Sequence, residues 1–348
     1  MKVCYFGIYN PDYARNRILL KGLKENGVEV IEVNSTKAGL GKYLDISRQL
    51  LKLKGDYDFL LVAFPGYQAM VMARFLSRKK IVFDAFNSIY DSTIIDRKQY
   101  KVKSLPGLYY WLLNWLACKL ADQILLDTSD HIDYFVQAFK QKKEKFHRLW
   151  ISADLDLFHP RPQVKQTNDY LVHFHGSFIP LQGIEYILEA AEILKNENIV
   201  FNLVGKGQTY KEITRVAKEK GLAKINFIGF RPVEEVPEYM AQADLILGIF
   251  GNTPKAKRVI PNKVYEGLAM QLPVITGESE AAKELLVDRE NILFCNFADG
   301  RDLADKILIL KNDQSLSKKI AQNGYDLITK ELTAGQLGSQ LVEIIKQA

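Results

Sequence analysis

The chain has 348 residues, of which 47% are hydrophobic and 25% are charged, and its net charge is +6. This length exceeds the usual size of a single hydrophobic core and predicts two domains. The mild positive charge fits an anionic partner such as a nucleotide or a phospholipid, whereas dispersed cations and the lack of a recognised module disfavour nucleic acid. No apolar stretch approaches the roughly 18–20 residues of a spanning helix, and the N-terminus lacks the shape of a signal peptide. We therefore expect a cytoplasmic protein.

The spacing of the cysteine and acidic residues argues against a disulfide framework and against a metal site. Cys4, Cys118 and Cys295 are far apart and odd in number, so we expect reduced core residues rather than a disulfide framework. The acidic alternations at 56–58 and 154–156 lack further ligands nearby, and no metal site is predicted.

Apolar runs alternate with amphipathic segments throughout the first half. The predicted strands are Lys2–Ile8, Val28–Val33, Phe59–Phe64, Lys80–Asp84, Gln123–Leu126 and a short one near Arg148–Ile151. Helical patterns separate successive strands, and this alternation predicts a parallel, doubly wound sheet.

A second series follows a polar, proline-containing linker at Asp154–Thr167. Its predicted strands are Tyr170–His175, Val200–Val204, Ile225–Ile228, Leu245–Ile249, Pro273–Thr276 and Asn291–Phe294. We place one domain at 1–160, a second at 161–330, and at 331–348 a C-terminal helix that can pack back on the first domain. Two doubly wound halves imply a ligand cleft between the carboxyl ends of both sheets.

The stretch Ala85–Pro106 is too long for an ordinary connection, which commonly indicates function. The segment that follows, Leu108–Leu120, is apolar nearly all round. Such a helix is usually enclosed in a core. The alternative is an interfacial helix that docks on an anionic membrane through residues 98–119, helped by Lys98, Lys101 and Lys103.

The stretch Leu245–Thr276 contains a second signal. A helix is predicted from Pro261, with Lys263 and Glu266 on one face near its N-terminus. Cations at a helix N-terminus form a seat for phosphate, and a carboxylate one turn on can accept hydrogen bonds from sugar hydroxyls. The alternative is a surface connection with a solvated basic loop.

Histidine and glycine patterns at the other strand ends are weaker signals. His173 and His175 share one face of a strand, for which core or cleft-lining roles are expected, and His175 is a minor candidate for substrate contact. The VGKGQ of Val204–Gln208 lacks the third glycine of a dinucleotide-binding fingerprint.

Several motifs recur in a fixed order in a known family. The segments HGSFIPLQGIEYILEAAEIL, FNLVGKG, INFIGF, ADLILGIF and NKVYEGLAMQLPVIT resemble family 4 glycosyltransferases of the GT-B fold. In the first half, LADQILLDTSDHIDYF and ISADLDLFHP are similar to the family's helix junction and interdomain motifs. The resemblance implies an α/β fold of two Rossmann-like domains facing each other across a cleft. It also implies a retaining transferase that uses a nucleotide sugar, and we favour a UDP-sugar over a GDP-sugar. No metal is expected, because side chains and a helix terminus can hold the diphosphate.

The resemblance also assigns residues. Glu266 matches the second glutamate of the family's E-x7-E motif, which is similar to a ribose anchor. Together with our own hypotheses, the predicted nucleotide-sugar contacts are Gly7, Gly176, Ser177, Gly205, Lys206, Phe230, Arg231, Lys263 and Glu266.

Three positions depart from the family pattern. The family's diphosphate-binding Arg–Lys pair is replaced by Ser177 and Gln182, its first E-x7-E glutamate falls at Arg258, and its N-domain histidine falls near Phe86-Asn87. A departing diphosphate needs compensating positive charge. We therefore hypothesise that Arg258 and Lys263 replace the missing pair and act in catalysis.

The acceptor is expected to meet the first domain. Asp84 and Asp91 are candidates for hydroxyl binding or proton acceptance, and Arg15, Asp96 and Arg97 are candidates for acceptor contact. For Arg15 a solvated helix face is the alternative.

These inferences lead to one expected function and two rivals. We expect a hexosyltransferase or related enzyme that glycosylates a glycan or lipid-linked acceptor in cell-surface polysaccharide or glycolipid synthesis, at the inner face of the membrane. The rivals are a GT-B nucleotide-sugar epimerase and a degenerate glycan- or nucleotide-binding protein.

Overall fold

The computed structural model describes residues 1–162 and 168–347, which form two α/β units. Unit 1 comprises Met1–Ser152 together with the C-terminal segment from Leu332, and unit 2 comprises Ala153–Glu331. Positions 163–167 of the predicted linker lie outside the described residues.

Unit 1 is built on a parallel six-stranded sheet. Its elements in chain order are β1 (Lys2–Phe6), α1 (Ala14–Glu25), β2 (Glu29–Val33), α2 (Gly41–Lys52), β3 (Phe59–Val62), α3 (Tyr67–Leu76), β4 (Ile81–Phe86), α4 (Leu105–Leu120), β5 (Gln123–Leu126), α5 (Ser129–Phe139) and β6 (Phe146–Arg148). The strand order is β2-β1-β3-β4-β5-β6. The central strands are buried on both faces, as expected where helices cover a parallel sheet.

Unit 2 repeats this architecture. Its elements are β7 (Tyr170–His175), α6 (Ile184–Ile193), β8 (Ile199–Val204), α7 (Tyr210–Glu219), β9 (Ile225–Gly229), α8 (Val236–Met240), β10 (Leu245–Leu247), α9 (Asn262–Ala269), β11 (Val274–Gly277), α10 (Glu280–Lys283), β12 (Leu293–Cys295), α11 (Gly300–Asn312) and α12 (Gln314–Glu331). The strand order is β12-β11-β10-β7-β8-β9, with all pairs parallel. In both sheets the order reverses beside the first strand, and this is where ligands bind in doubly wound folds.

The last helix, α13 (Ala334–Gln347), packs against α1 through glycines. A Cβ added to Gly22 would lie 2.2 Å from the carbonyl oxygen of Ala334, and one added to Gly338 would lie 2.2 Å from the carbonyl carbon of Gly22. The amide of Asn26 also donates to the Gly335 carbonyl at 2.8 Å. Only helices without side chains at these points can approach so closely, so α13 belongs to unit 1.

The predicted two-domain α/β fold with twelve strands is confirmed. One strand is displaced: the strand predicted near Arg148–Ile151 overlaps β6 only at Arg148, because β6 ends there and the next two carbonyls accept hydrogen bonds from Arg15. The six-residue π-helix at Asp91–Asp96 and the short helix α10 were not predicted.

Two sequence expectations concern buried side chains. All three cysteines are free and buried, as predicted. The favoured expectation, a helix enclosed in the core, is wrong, because α4 buries only one face while Leu105, Leu108 and Leu112 on the other face are exposed. The helix begins at Leu105 because the Ser104 hydroxyl accepts a hydrogen bond from the Gly107 N–H as an N-cap.

A buried ion pair ties together three segments of unit 1. The Arg15 guanidinium on α1 donates through Nε and Nη2 to the Asp84 carboxylate on β4, with its shortest contact at 2.9 Å. Its Nη1 donates to the carbonyls of Leu149 and Trp150 at 2.7 and 2.9 Å, which is why the chain leaves the sheet after β6. Arg15 and Asp84 are 1% and 0% exposed. Both are enclosed by protein, so we assign them to the fold rather than to acceptor contact or catalysis. The solvated alternative for Arg15 is wrong.

Replacing Asp84 by Asn should lower the free energy of unfolding by about 3–5 kcal/mol, because it leaves the buried Arg15 charge without its counter-ion. Urea denaturation monitored by circular dichroism measures the change. Asp133→Asn is the matched control, since its pair with Lys143 is solvent-exposed and should contribute less than about 1 kcal/mol. Equal losses in the two variants would contradict the structural role of Asp84.

Candidate functional site

Three adjacent strands of unit 2 end in glycines. Gly176, Gly205 and Gly229 follow or close β7, β8 and β9, and all three have positive φ angles. A Cβ on Gly205 would lie 1.9 Å from the carbonyl oxygen of Gly176, so the two loops touch backbone to backbone. The Phe178 N–H donates to the Lys206 carbonyl at 3.0 Å and fixes this contact. Bare backbone therefore lines the carboxyl edge of the sheet, where a ligand can approach closely.

Helix α9 brings side chains to the same edge. Gly267 lets the helix lie tight against the sheet, because a Cβ there would come within 2.8 Å of Val274 on β11. Pro261 is the extended N-cap and the helix begins at Asn262, one residue later than predicted. Lys263 thus lies in the first turn and Glu266 one turn further on, and both are buried.

The Lys263 ammonium is the buried cation of this site. It is 4% exposed, it donates to the side-chain oxygen of Gln182, and its Nζ lies 4.5 Å from the centroid of the Phe174 ring. A Cβ built on Gly176 would lie 3.1 Å from Nζ, so the ammonium sits directly beside that glycine. Burial lowers the pKa of Lys263 to about 7, against the opposing attraction of the Glu266 carboxylate.

A hydrogen-bonded chain of histidines ends on Glu266. The His175 Nε2 lies 2.7 Å from the Glu266 Oε2, and the His175 Nδ1 lies 3.1 Å from the His173 Nε2. If His175 donates through Nε2 to the carboxylate, its Nδ1 accepts from His173, and the His173 Nδ1 carries no proton. That nitrogen is buried without a hydrogen-bond partner. Burial and the neighbouring His175 and Lys263 hold the pKa of His173 well below its ordinary value, consistent with a neutral ring.

The remaining predicted residues of unit 2 surround this centre. Ser177 and Lys206 are exposed on the two touching loops, and Phe230, directly after β9, is 67% exposed. Arg231 donates through Nε to the Tyr239 hydroxyl at 2.8 Å. Arg258 is half-buried on the turn of 3-10 helix that precedes α9.

The predicted residues of unit 1 occupy different settings. Gly7 follows β1 and donates its N–H to the Val33 carbonyl at 3.0 Å. Asp91 and Asp96 are buried on the π-helix, and Arg97 is half-buried at its end. The acceptor and catalytic roles assigned to these three stay predictions.

Neither a metal-ligand cluster nor a membrane-spanning helix is found among the described residues. Within residues 1–162 and 168–347, no group of three or more His, Cys, Asp or Glu side chains is placed to hold a metal ion. No helix in that part of the chain combines the length and apolarity needed to cross a membrane.

Comparison with known protein families gives a match within unit 2. Residues 157–327 match the family model described as Glycosyl transferases group 1. The matched stretch lies within unit 2 and covers just under half of the chain.

Three curated proteins that resemble parts of this chain are described as glycosyltransferases. The uncharacterized glycosyltransferase MJ1178 of Methanocaldococcus jannaschii is 27% identical over 45% of this chain and 42% of its own. The putative glycosyltransferase EpsD of Bacillus subtilis is 22% identical over 81% of this chain and 75% of its own. The putative colanic acid biosynthesis glycosyl transferase WcaI of Escherichia coli is 28% identical over 36% of this chain and 31% of its own. The match thus spans less than half the length of the first curated relatives.

Solved structures show the fold of the whole chain. Anabaena Alr3699/HepE, crystallised with UDP-glucose, superposes with a TM-score of 0.75 at 17% identity, covering 100% of both chains. Sucrose-phosphate synthase from Thermosynechococcus elongatus superposes with a TM-score of 0.77 at 13% identity, covering 100% of this chain and 98% of its own. The chain therefore has the two-domain α/β fold of GT-B glycosyltransferases, as predicted.

Sequence reasoning missed two side-chain partners within unit 2. Gln182 was read only as a lost cation, whereas its side chain accepts the hydrogen bond of Lys263. His175 was a minor candidate for substrate contact, whereas it binds Glu266. The alternation of His173 and His175 on one strand face was the available signal, but it does not reveal a partner 91 residues away.

Lys263 should give unit 2 a distinctive pH dependence of stability. Between pH 7 and 9 the unfolded lysine is protonated while the buried one is largely neutral, so the unfolded state binds more protons and stability rises with pH. Relative to Lys263→Met, the wild-type free energy of unfolding should rise by on the order of 2 kcal/mol over this window and stay level below about pH 6. Urea titrations at each pH measure the difference in unfolding free energy between the two proteins. The contributions of the other titrating groups are common to both proteins and cancel in this difference. Parallel curves for the two proteins would contradict the burial of the ammonium.

Proposed function

We propose that the protein is a retaining glycosyltransferase that moves a hexose or related sugar from a UDP-sugar to a glycan or lipid-linked acceptor. Its place is cell-surface polysaccharide or glycolipid synthesis at the cytoplasmic face of a membrane, and it works without a metal. The observation that carries the proposal is the Lys263 ammonium beside Gly176 and Gln182.

Lys263 stands where a missing family cation would have acted. Gln182 occupies the lysine position of the family's diphosphate motif, and the Lys263 ammonium donates to the Gln182 side chain. A cation from α9 thus reaches the position that a cation on the β7–α6 connection would occupy. Lys263 is also in the first turn of α9, where the helix dipole favours negative charge. Both features support a diphosphate seat on this edge.

Glu266 and the glycine loops support the nucleoside part of the donor. The His175 Nε2 contacts one carboxylate oxygen of Glu266 and holds its orientation, while carboxylates have capacity to accept further hydrogen bonds from ribose hydroxyls. The exposed ring of Phe230 offers an apolar face for a base at the end of β9. Uracil is favoured because Alr3699/HepE was crystallised with UDP-glucose.

The chemistry follows from the charge that develops. As the bond between the anomeric carbon and the β-phosphate oxygen breaks, negative charge grows on the diphosphate. The acceptor hydroxyl oxygen forms the new bond to the anomeric carbon, and its proton passes to the departing diphosphate. A buried, preorganised ammonium stabilises that charge more strongly than an exposed one, because little water screens it. The negative charge of the diphosphate also favours the protonated form of Lys263, since an adjacent anion raises the pKa of an amine. Arg258, on the turn before α9, supplies a second cation.

The double variant Arg258→Ala/Lys263→Ala should lower turnover by at least about 100-fold, since removing even one preorganised donor commonly costs 100-fold or more. Release of UDP from the donor in the presence of acceptor measures turnover. Lys257→Ala is the matched control, because Lys257 lies on the same turn but is exposed. Circular dichroism of the double variant verifies its fold. Turnover near the wild-type level would contradict the role of both cations.

A thermal-shift panel of UDP-, GDP- and TDP-sugars should raise the unfolding midpoint only with UDP-sugars, because a ligand at 100 times its dissociation constant adds about 2.7 kcal/mol. EDTA should change neither the shift nor turnover. A GDP-selective shift would overturn the assignment of the base, and loss of turnover in EDTA would overturn metal independence. Nucleotide binding without transfer to any acceptor would favour a degenerate binding protein, and release of nucleotide without acceptor would favour an epimerase.

A further inference from the structure

Helix α4 of unit 1 exposes a continuous apolar stripe. Leu105, Leu108, Tyr109 and Leu112, here called the α4 stripe, follow the i, i+3, i+4, i+7 spacing that places side chains on one helix face. Leu105 is 84% exposed and Leu108 is 53% exposed. The opposite face is buried and anchors the helix through Leu113, Asn114, Ala117 and Cys118. The stripe is therefore held rigidly and faces outward.

The apolar surface extends beyond the helix. Tyr100 and Val102 are exposed in the segment that leads into α4. Tyr43 on α2 lies near Tyr109, and burial together with this proximity raises the pKa of Tyr43. The next residue, Leu44, is exposed. Single exposed leucines need no explanation, but a contiguous group of this kind marks an interaction surface.

The charges around the stripe are of one sign. Lys98, Lys101 and Lys103 are exposed immediately before the helix, and Lys119 is exposed near its end. From residue 97 to residue 121 the chain has no Asp or Glu. Lysines flanking an apolar face with tyrosines are characteristic of helices that lie in a membrane interface. Protein interfaces are instead depleted in lysine, so a second copy of this chain fits the surface less well.

We propose that the α4 stripe docks unit 1 on an anionic phospholipid bilayer. The leucines of the stripe enter the boundary between headgroups and acyl chains, to a depth of about 5–10 Å for such helices. Lys98, Lys101 and Lys103 contact the phosphate groups of the lipids. Docking through one helix face on the surface of unit 1 makes the protein a peripheral membrane protein. The inference does not rest on the proposed transfer reaction, because it concerns the surface of unit 1 alone.

Co-sedimentation of the full chain with lipid vesicles tests the proposal without donor or acceptor. Vesicles of phosphatidylcholine with and without phosphatidylglycerol are compared at low and high salt. The stripe variant is Leu105→Ser/Leu108→Ser/Leu112→Ser, and the charge variant is Lys98→Gln/Lys101→Gln/Lys103→Gln. The control combines Phe75→Ser with Arg78→Gln/Lys79→Gln/Lys80→Gln, which removes one exposed aromatic residue and three exposed cations elsewhere on unit 1. Urea unfolding verifies that each variant folds.

The wild type should bind the anionic vesicles, and high salt should weaken that binding. The charge variant should lose on the order of 100-fold in partitioning, and the stripe variant at least about tenfold, while the control retains wild-type partitioning. Absence of wild-type binding, or an equal loss in the control, would overturn the proposal. A stripe-dependent dimer in sedimentation velocity without vesicle binding would also overturn it, in favour of self-association.

Discussion

Burying the ammonium of Lys263 is the constraint on which the site of unit 2 depends. An unpaired charge out of water costs several kcal/mol, so each neighbour must compensate for it. The Gln182 oxygen accepts its hydrogen bond, the Phe174 ring offers its negative face, and the Glu266 carboxylate attracts it. Glu266 is buried too and requires a donor, which His175 provides. This series of compensating contacts ends at the buried, neutral ring of His173, which lies within hydrogen-bonding distance of His175.

The two units use one topology differently. In unit 1, the buried charges Arg15 and Asp84 satisfy each other and the carbonyls of residues 149 and 150, so the pair stabilises the fold. In unit 2, the strand ends present glycine backbone, and the cation depends on uncharged partners for most of its contacts. An ion pair whose charges compensate each other offers no uncompensated charge to a ligand. A cation with a lowered pKa is instead stabilised when an anion binds beside it. This difference in charge compensation separates the structural cluster of unit 1 from the site that we propose for the donor in unit 2.

Local pattern predicted the elements but not their partners. The strands were predictable because buried parallel strands are short apolar runs, and the Lys263–Glu266 pair was predictable because helical spacing fixes a shared face. The partners of these residues were not, because Gln182 lies 81 residues from Lys263 and His175 lies 91 residues from Glu266. Asp84 looked functional as a carboxylate at a strand end, and only its contact with Arg15, 69 residues away, reveals a structural role. The π-helix at Asp91–Asp96 has no period that a sequence pattern predicts.

The backbone contact between Gly176 and Gly205 also limits how this site can diversify. Any side chain at position 205 would overlap the neighbouring carbonyl, so mutational libraries at that position should yield few folded proteins. Ser177 and Lys206 stand on the same two loops with exposed side chains. Natural or directed evolution toward a different ligand can therefore change the residue that follows each glycine, at positions 177 and 206. The loop paths themselves stay fixed, so new specificities must be added to this edge as side chains rather than as new backbone.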